Sequence, residues 1–163
     1  MTWFRRGREP DHEGPAPSPL QDDDSPATLR QRLFDLNRYI NANAGKLPVG
    51  SVVTARQVTD TLREVIDTSD VRPLDIYAVV SVKGILNDYL PTTLQRFLAL
   101  DPNILEVPRP SGRTPAESLH EQIDSLWDAA ANVLEAAKAQ DADALLTQGN
   151  FLRTKFAGSD LDL

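Results

Sequence analysis

The side chains of this chain that could do chemistry are few, and its two histidines, His12 and His120, come first. His120 stands beside Glu117 and Glu121, with Asp124 four positions on. A helical metalloprotease site needs two histidines at that spacing, so that both imidazoles face one ion. Here the second position is an aspartate, which makes at best a weak metal pair, and a surface histidine is the favoured reading. Gly45-Lys46 suggests a phosphate loop, but position 40 is Ile and position 47 is Leu where that loop needs Gly and Ser or Thr. Ser51 follows Gly50 without the second glycine of a nucleophile elbow. The paired carboxylates fall in three places: Asp22 to Asp24, Asp141 with Asp143, and Asp160 with Asp162. General acid–base work needs carboxyls in a concave, partly dry site. A tail, a helix cap and a terminus are none of these, so each set reads as solvated.

Two aromatic features remain. Trp3-Phe4-Arg5-Arg6-Gly7-Arg8 sets two rings beside three cations. That composition suits the headgroup layer of an anionic membrane, and it equally suits a short linear peptide docking a partner. The partner-contact residues expected from sequence are therefore Trp3, Phe4, Arg5, Arg6 and Arg8. Tyr77, Tyr89 and Trp127 interrupt apolar stretches and could line a ligand pocket. Core packing with the polar atom reaching a partner is the commoner use of such residues. No catalytic residue, cofactor site or metal site is assigned.

Amphipathic helices must position whatever acts. Ser25 and Pro26 open the first, an N-cap followed by a proline at the first helical position. Leu29, Leu33, Leu36 and Ile40 then make one helical face, and Gly45 and Pro48 end it. A second helix is expected to open at the capping-box sequence Thr54 to Gln57, with Val58, Leu62, Val65 and Ile66 buried. Residues 76–83 are rich in β-branched side chains and could form a strand. Their apolar character runs on through Leu90, too far for a strand, so a helix apolar on most sides, central and buried, is favoured. Pro91 kinks or ends it, and Thr92, Thr93, Leu94, Phe97 and Leu98 carry on as a further helix up to Asp101-Pro102. Residues 102–113 read as a surface loop. Thr114-Pro115-Ala116-Glu117 is a full helix start, followed by a stripe from Leu119 to Ala137 that includes Trp127. A last helix is capped by Asp141 and Asp143 and stopped by Gly158.

The bulk numbers agree with one all-α domain, a bundle of five or six helices over residues 25–163 behind a disordered Pro/Asp-rich tail, residues 1–24. The chain has 163 residues, no cysteine, and a net charge of −7. Lack of cysteine excludes disulfides and thiolate metal sites. The acidic balance sets aside nucleic acid, which needs a basic face. No stretch approaches the ~20 apolar residues of a membrane span. The N-terminus lacks the hydrophobic region of a secretory signal, and Thr2 excludes myristoylation. The high Ala and Asp content, with Arg over Lys, is the usage of a GC-rich bacterial genome.

Leu90-Pro91-Thr92-Thr93-Leu94, followed by Phe97-Leu98-Ala99-Leu100, resembles the YLP–T helix of the XpaC family, named for 5-bromo-4-chloroindolyl phosphate hydrolysis. The resemblance spans roughly residues 85–163 and includes a final helical hairpin, Leu119 to Phe156, before an acidic-hydrophobic end. It implies an all-helical fold and phosphate-ester hydrolysis or an accessory role in toxic-anion stress resistance. The matching positions supply no nucleophile, base or metal ligand. The function expected is therefore a non-enzymatic interaction or scaffold protein, cytoplasmic, which binds a protein partner or itself and touches an anionic inner membrane face through its N-terminal segment. The alternative is an XpaC-type hydrolase, which requires Asp88 or Asp124 to converge with His120 or an arginine in a concave pocket.

Overall fold

The computed structural model describes residues 23–139 and 142–157, and among them every regular element is helical. Helix α1 runs Pro26–Asn43, α2 Val49–Asp67, α3 Ile76–Gly84, α4 Leu90–Leu98, α5 Pro115–Ala139 and α6 Ala142–Ala157. Residues 76–83 are thus helix and not strand. Helix α5 is the axis of the bundle, packing against α2, α3, α4 and α6, while α1 lies on α2.

The starts of α1 and α5 follow their local chemistry. The Ser25 hydroxyl accepts the Thr28 N–H at 3.1 Å. At α5 the Thr114 hydroxyl accepts the Glu117 N–H at 3.1 Å, and the Glu117 carboxylate accepts the Thr114 N–H at 2.8 Å. Thr114→Ala removes one half of this reciprocal cap. It is expected to cost about 1 kcal/mol, a fall in Tm of roughly 3 °C for a domain of this size, read by thermal denaturation. Leu29, Leu33, Leu36 and Ile40 are all buried, as their spacing requires.

Three expectations need correction, and the alternative left open at Pro91 is decided. Helix α2 starts at Val49, five residues before Thr54. Ser51, Thr54, Ala55 and Val58 are all buried, so the inward stripe runs back past the capping-box sequence and the helix runs with it. The Thr54 hydroxyl donates to the Gly50 carbonyl, an interior bond rather than a cap. Gly45 does not end α1 through a left-handed turn. It lies in a short 3₁₀ turn, Ala44–Lys46, and the one glycine with positive φ among the described residues is Gly112.

Of the two outcomes expected at Pro91, a kink or an end, the end does not occur. Residues Ile85–Tyr89 form a π turn joining α3 to α4, with the Leu90 N–H bonded to the Ile85 carbonyl. Proline inside a helix lacks a donor and crowds the preceding turn, and a widened turn before it relieves the crowding. Finally, α3 is apolar all round yet not central. Ile76 is 61% exposed, Val80 50% and Tyr77 36%, because α5 and α6 cover one side of it only.

The N-terminal end of the described chain is tied by ion pairs. Asp23 pairs with Arg32 and Asp24 with Lys83 of α3, so these two acids, expected within a disordered tail, are held on the bundle. Arg30 bridges Asp67 and Asp70. The hydrogen bonds it donates to Asp70 first, then Asp67, hold its guanidinium above the usual arginine range.

Candidate functional site

The sequence-expected contact residues Trp3, Phe4, Arg5, Arg6 and Arg8 lie outside the described residues, as do His12, Asp22, Asp141, Asp160, Asp162 and Gly158. The same holds for the side chain of Asp143. What the structure does place falls into two clefts and one apolar face.

The larger cleft, about 640 Å³, opens where the first turns of α2 and α5 meet. Pro48, Gly50 and Ser51 form one wall, and Glu117, His120 and Glu121 the other, with Arg113 at the rim. The His120 ring lies over Gly50: a Cβ there would stand 3.6 Å from its Cε1 and 3.8 Å from its Nδ1. The other ring nitrogen, Nε2, stands 3.4 Å from an Asp124 carboxylate oxygen, with both side chains about half exposed. Ser51 is fully buried and its hydroxyl has no hydrogen-bond partner. Arg113 is paired with Glu121, and Glu117 is engaged in the α5 cap.

The smaller cleft, about 270 Å³, is lined by Asp88, Tyr89, Thr92, Arg96, Gln122 and Phe156 among others. The rings of Tyr89 and Phe156 meet at 5.1 Å, and the Thr92 hydroxyl donates to Asp88 at 3.3 Å. Asp88 and Arg96 thus share one cleft while His120 lines the other. Two of the pairings that the hydrolase alternative requires are present, Asp88 with Arg96 in the smaller cleft and the half-exposed His120 with Asp124. Among the described residues no three His, Asp or Glu side chains are grouped to hold a metal ion.

Tyr77, Tyr89 and Trp127 do not share a pocket. Tyr89 is half-buried against Phe156, whereas Tyr77 and Trp127 are exposed on α3 and α5. On α3 the outward residues Ile76, Tyr77 and Val80 lie on one helical face. Gly149 of α6 sits beside Ser81, and Phe156 beside Tyr89, so α3 and α6 run parallel in this register. That register puts the exposed Leu146 at the level of Ala78, one residue from Tyr77. Sequence does not reveal this face, because a helix apolar on every side gives no sign of which side is left uncovered.

Comparison with family models, curated proteins and solved structures finds no match for this chain.

Proposed function

We propose that the protein acts without catalysis, as a helical interaction module that docks an amphipathic helix of a partner protein on the outer face of α3. The observation that supports this reading is the uncovered row Ile76, Tyr77 and Val80, on a helix whose opposite side is core. Exposed apolar residues grouped on one element mark interaction surfaces, whereas scattered ones need no explanation. The chemistry of the partner follows from charge. The chain carries −7, the exposed Asp75 opens the helix that bears the face, and Lys83 in its last turn is paired with Asp24. A second copy would bring the same sign, so a partner helix with lysine or arginine flanking its apolar residues fits better than self-association. Helix-in-groove recognition of this kind reads apolar anchors three and four positions apart.

A photo-crosslinking side chain at position 80 of the full chain tests the reading. It is expected to give one dominant adduct in cells, lost on Tyr77→Glu, while the same group at the exposed Gln31 gives none. Adducts equal at both positions sink the proposal, and a dimer adduct replaces the basic partner with self-association.

The second contact in this reading is a cytoplasmic, anionic membrane face, touched by Trp3, Phe4, Arg5, Arg6 and Arg8. No helix among the described residues is long and apolar enough to cross a membrane, so such a contact would be peripheral. One aromatic pair with three cations binds weakly and reversibly. Replacing Trp3 and Phe4 by Ser is expected to lower co-sedimentation with phosphatidylserine vesicles several-fold. Equal binding of the two chains ends this half of the proposal.

A further inference from the structure

The uncovered face of α3 has a segment of its own chain tied to one end. Lys83 follows Val80 by three positions and Ile76 by seven, so it stands on the same helical face, at the C-terminal end of the apolar row. Its ammonium is paired with Asp24, and Asp23 is paired with Arg32. The chain that precedes residue 23 therefore departs from the foot of this face. Along the helix, Val80 is only about 5 Å from the level of Lys83, and Ile76 about 10 Å. Residues 9–22 separate Asp23 from Trp3-Phe4-Arg5-Arg6-Gly7-Arg8. At about 3.1 Å per residue they span up to roughly 43 Å, well beyond the reach required. The segment also has the chemistry that the face calls for. It brings two large rings to the row Ile76, Tyr77 and Val80, and three cations to a chain of net charge −7. Asp75, at the far end of the row, is exposed, although one of its oxygens accepts the Tyr77 N–H.

We infer that Trp3 to Arg8 of the same chain occupy the outer face of α3, the rings on Ile76, Tyr77 and Val80 and the arginines toward Asp75, and that an anionic membrane withdraws them and frees the face. The inference rests on the reading of that face as a docking surface and supplies its regulation. Tethering decides the balance. A short linker holds a segment at an effective concentration of about 1 mM, so a contact with a Kd of about 1 mM between separate molecules is half formed within one. A partner then binds about twofold more weakly than it would to the bare face. An anionic surface competes, because the same rings and arginines cannot lie in the headgroup layer and on α3 at once.

The photo-crosslinking side chain at position 80 of the purified full chain, with no other protein present, tests this. It is expected to give an adduct of monomer mass that maps by mass spectrometry to residues 3–8. Gln31 is exposed and adjoins Arg32, which holds Asp23, so it lies as near the point of departure. The same group at position 31 reports chance collision of the tethered segment, and its yield is expected to be at least about fivefold lower. Trp3→Ser with Phe4→Ser is expected to abolish the adduct. Phosphatidylserine vesicles are expected to lower its yield several-fold, and phosphatidylcholine vesicles to leave it unchanged. Equal yields at positions 80 and 31, an adduct joining two chains, or one that survives the double substitution overturns the docking. A yield unaffected by phosphatidylserine overturns the membrane release. Failure of the intrachain adduct with partner capture in cells intact ends this inference alone, whereas an intrachain adduct without any partner in cells ends the reading it rests on.

Discussion

Leu126→Ala is expected to lower the stability of the domain by about 3 kcal/mol, within the roughly 2–5 kcal/mol range for emptying a buried leucine site. Leu126 is 0% exposed and sits near the middle of α5, the helix against which α2, α3, α4 and α6 pack. Those helices pin the walls of the cavity, so little collapse can offset the loss. The next residue gives the control. Trp127 is larger but 38% exposed, and Trp127→Ala is expected to cost about 2 kcal/mol, less than the leucine because its ring leaves water only in part and no closed cavity remains. Urea unfolding of both variants reads the contrast as a larger and a smaller fall in midpoint at unchanged slope. Equal losses would mean that α5 is not the axis of the core.

The Leu126–Trp127 contrast also shows what the sequence could and could not reveal. Both residues fall on the broad stripe from Leu119 to Ala137, and periodicity alone sets its centre without setting its edges. Where a boundary is made by local chemistry it was legible: Ser25 with Pro26, and Thr114 with Glu117, start their helices through bonds made within one turn. The same logic failed at Thr54, whose capping sequence was outweighed by a buried stripe reaching back to Ser51. At Pro91 the opposing influence was the continuity of the apolar face from Ile85 to Phe97, which a π turn preserves.

The functional features were the least legible, for a physical reason. The cleft is formed by the meeting of the α2 and α5 first turns, more than sixty positions apart in the chain. Sequence offers Ser51 only as a nucleophile, since nothing local marks its hydroxyl as buried and unpaired. The proline at the α2 cap position was legible as a helix breaker, but its consequence, an uncapped N-terminus facing His120, depends on where α5 lies. The uncovered face of α3 likewise depends on how far α6 reaches around it.

The α3–α6 contact is the hinge of that second dependence, and Gly149→Leu tests it. Two effects of opposite sign act at this position. Replacing a helical glycine gains up to about 1 kcal/mol of propensity. A Cβ alone would stand 3.7 Å from the Ser81 hydroxyl oxygen, an ordinary contact, so Gly149→Ala is expected to raise stability slightly. The three further carbons of leucine must enter the space between α6 and α3, where overpacking costs roughly 1–3 kcal/mol. Overpacking outweighs the propensity gain, and a net loss of about 1–2 kcal/mol is expected for Gly149→Leu. The loss should be local. Among the described elements α6 packs chiefly on α3 and α5, and it buries Leu152 against them and holds Phe156 on Tyr89. Partial release of α6 therefore speeds amide exchange at Leu152 and Phe156 while Leu126 stays protected, the behaviour of a separate opening unit. It also widens the apolar surface beside Tyr77, so partner capture at position 80 should change in the same variant. Unaltered exchange at Leu152 would place α6 farther from α3 than Gly149 and Ser81 indicate, and the face bounded by Leu146 would have to be redrawn.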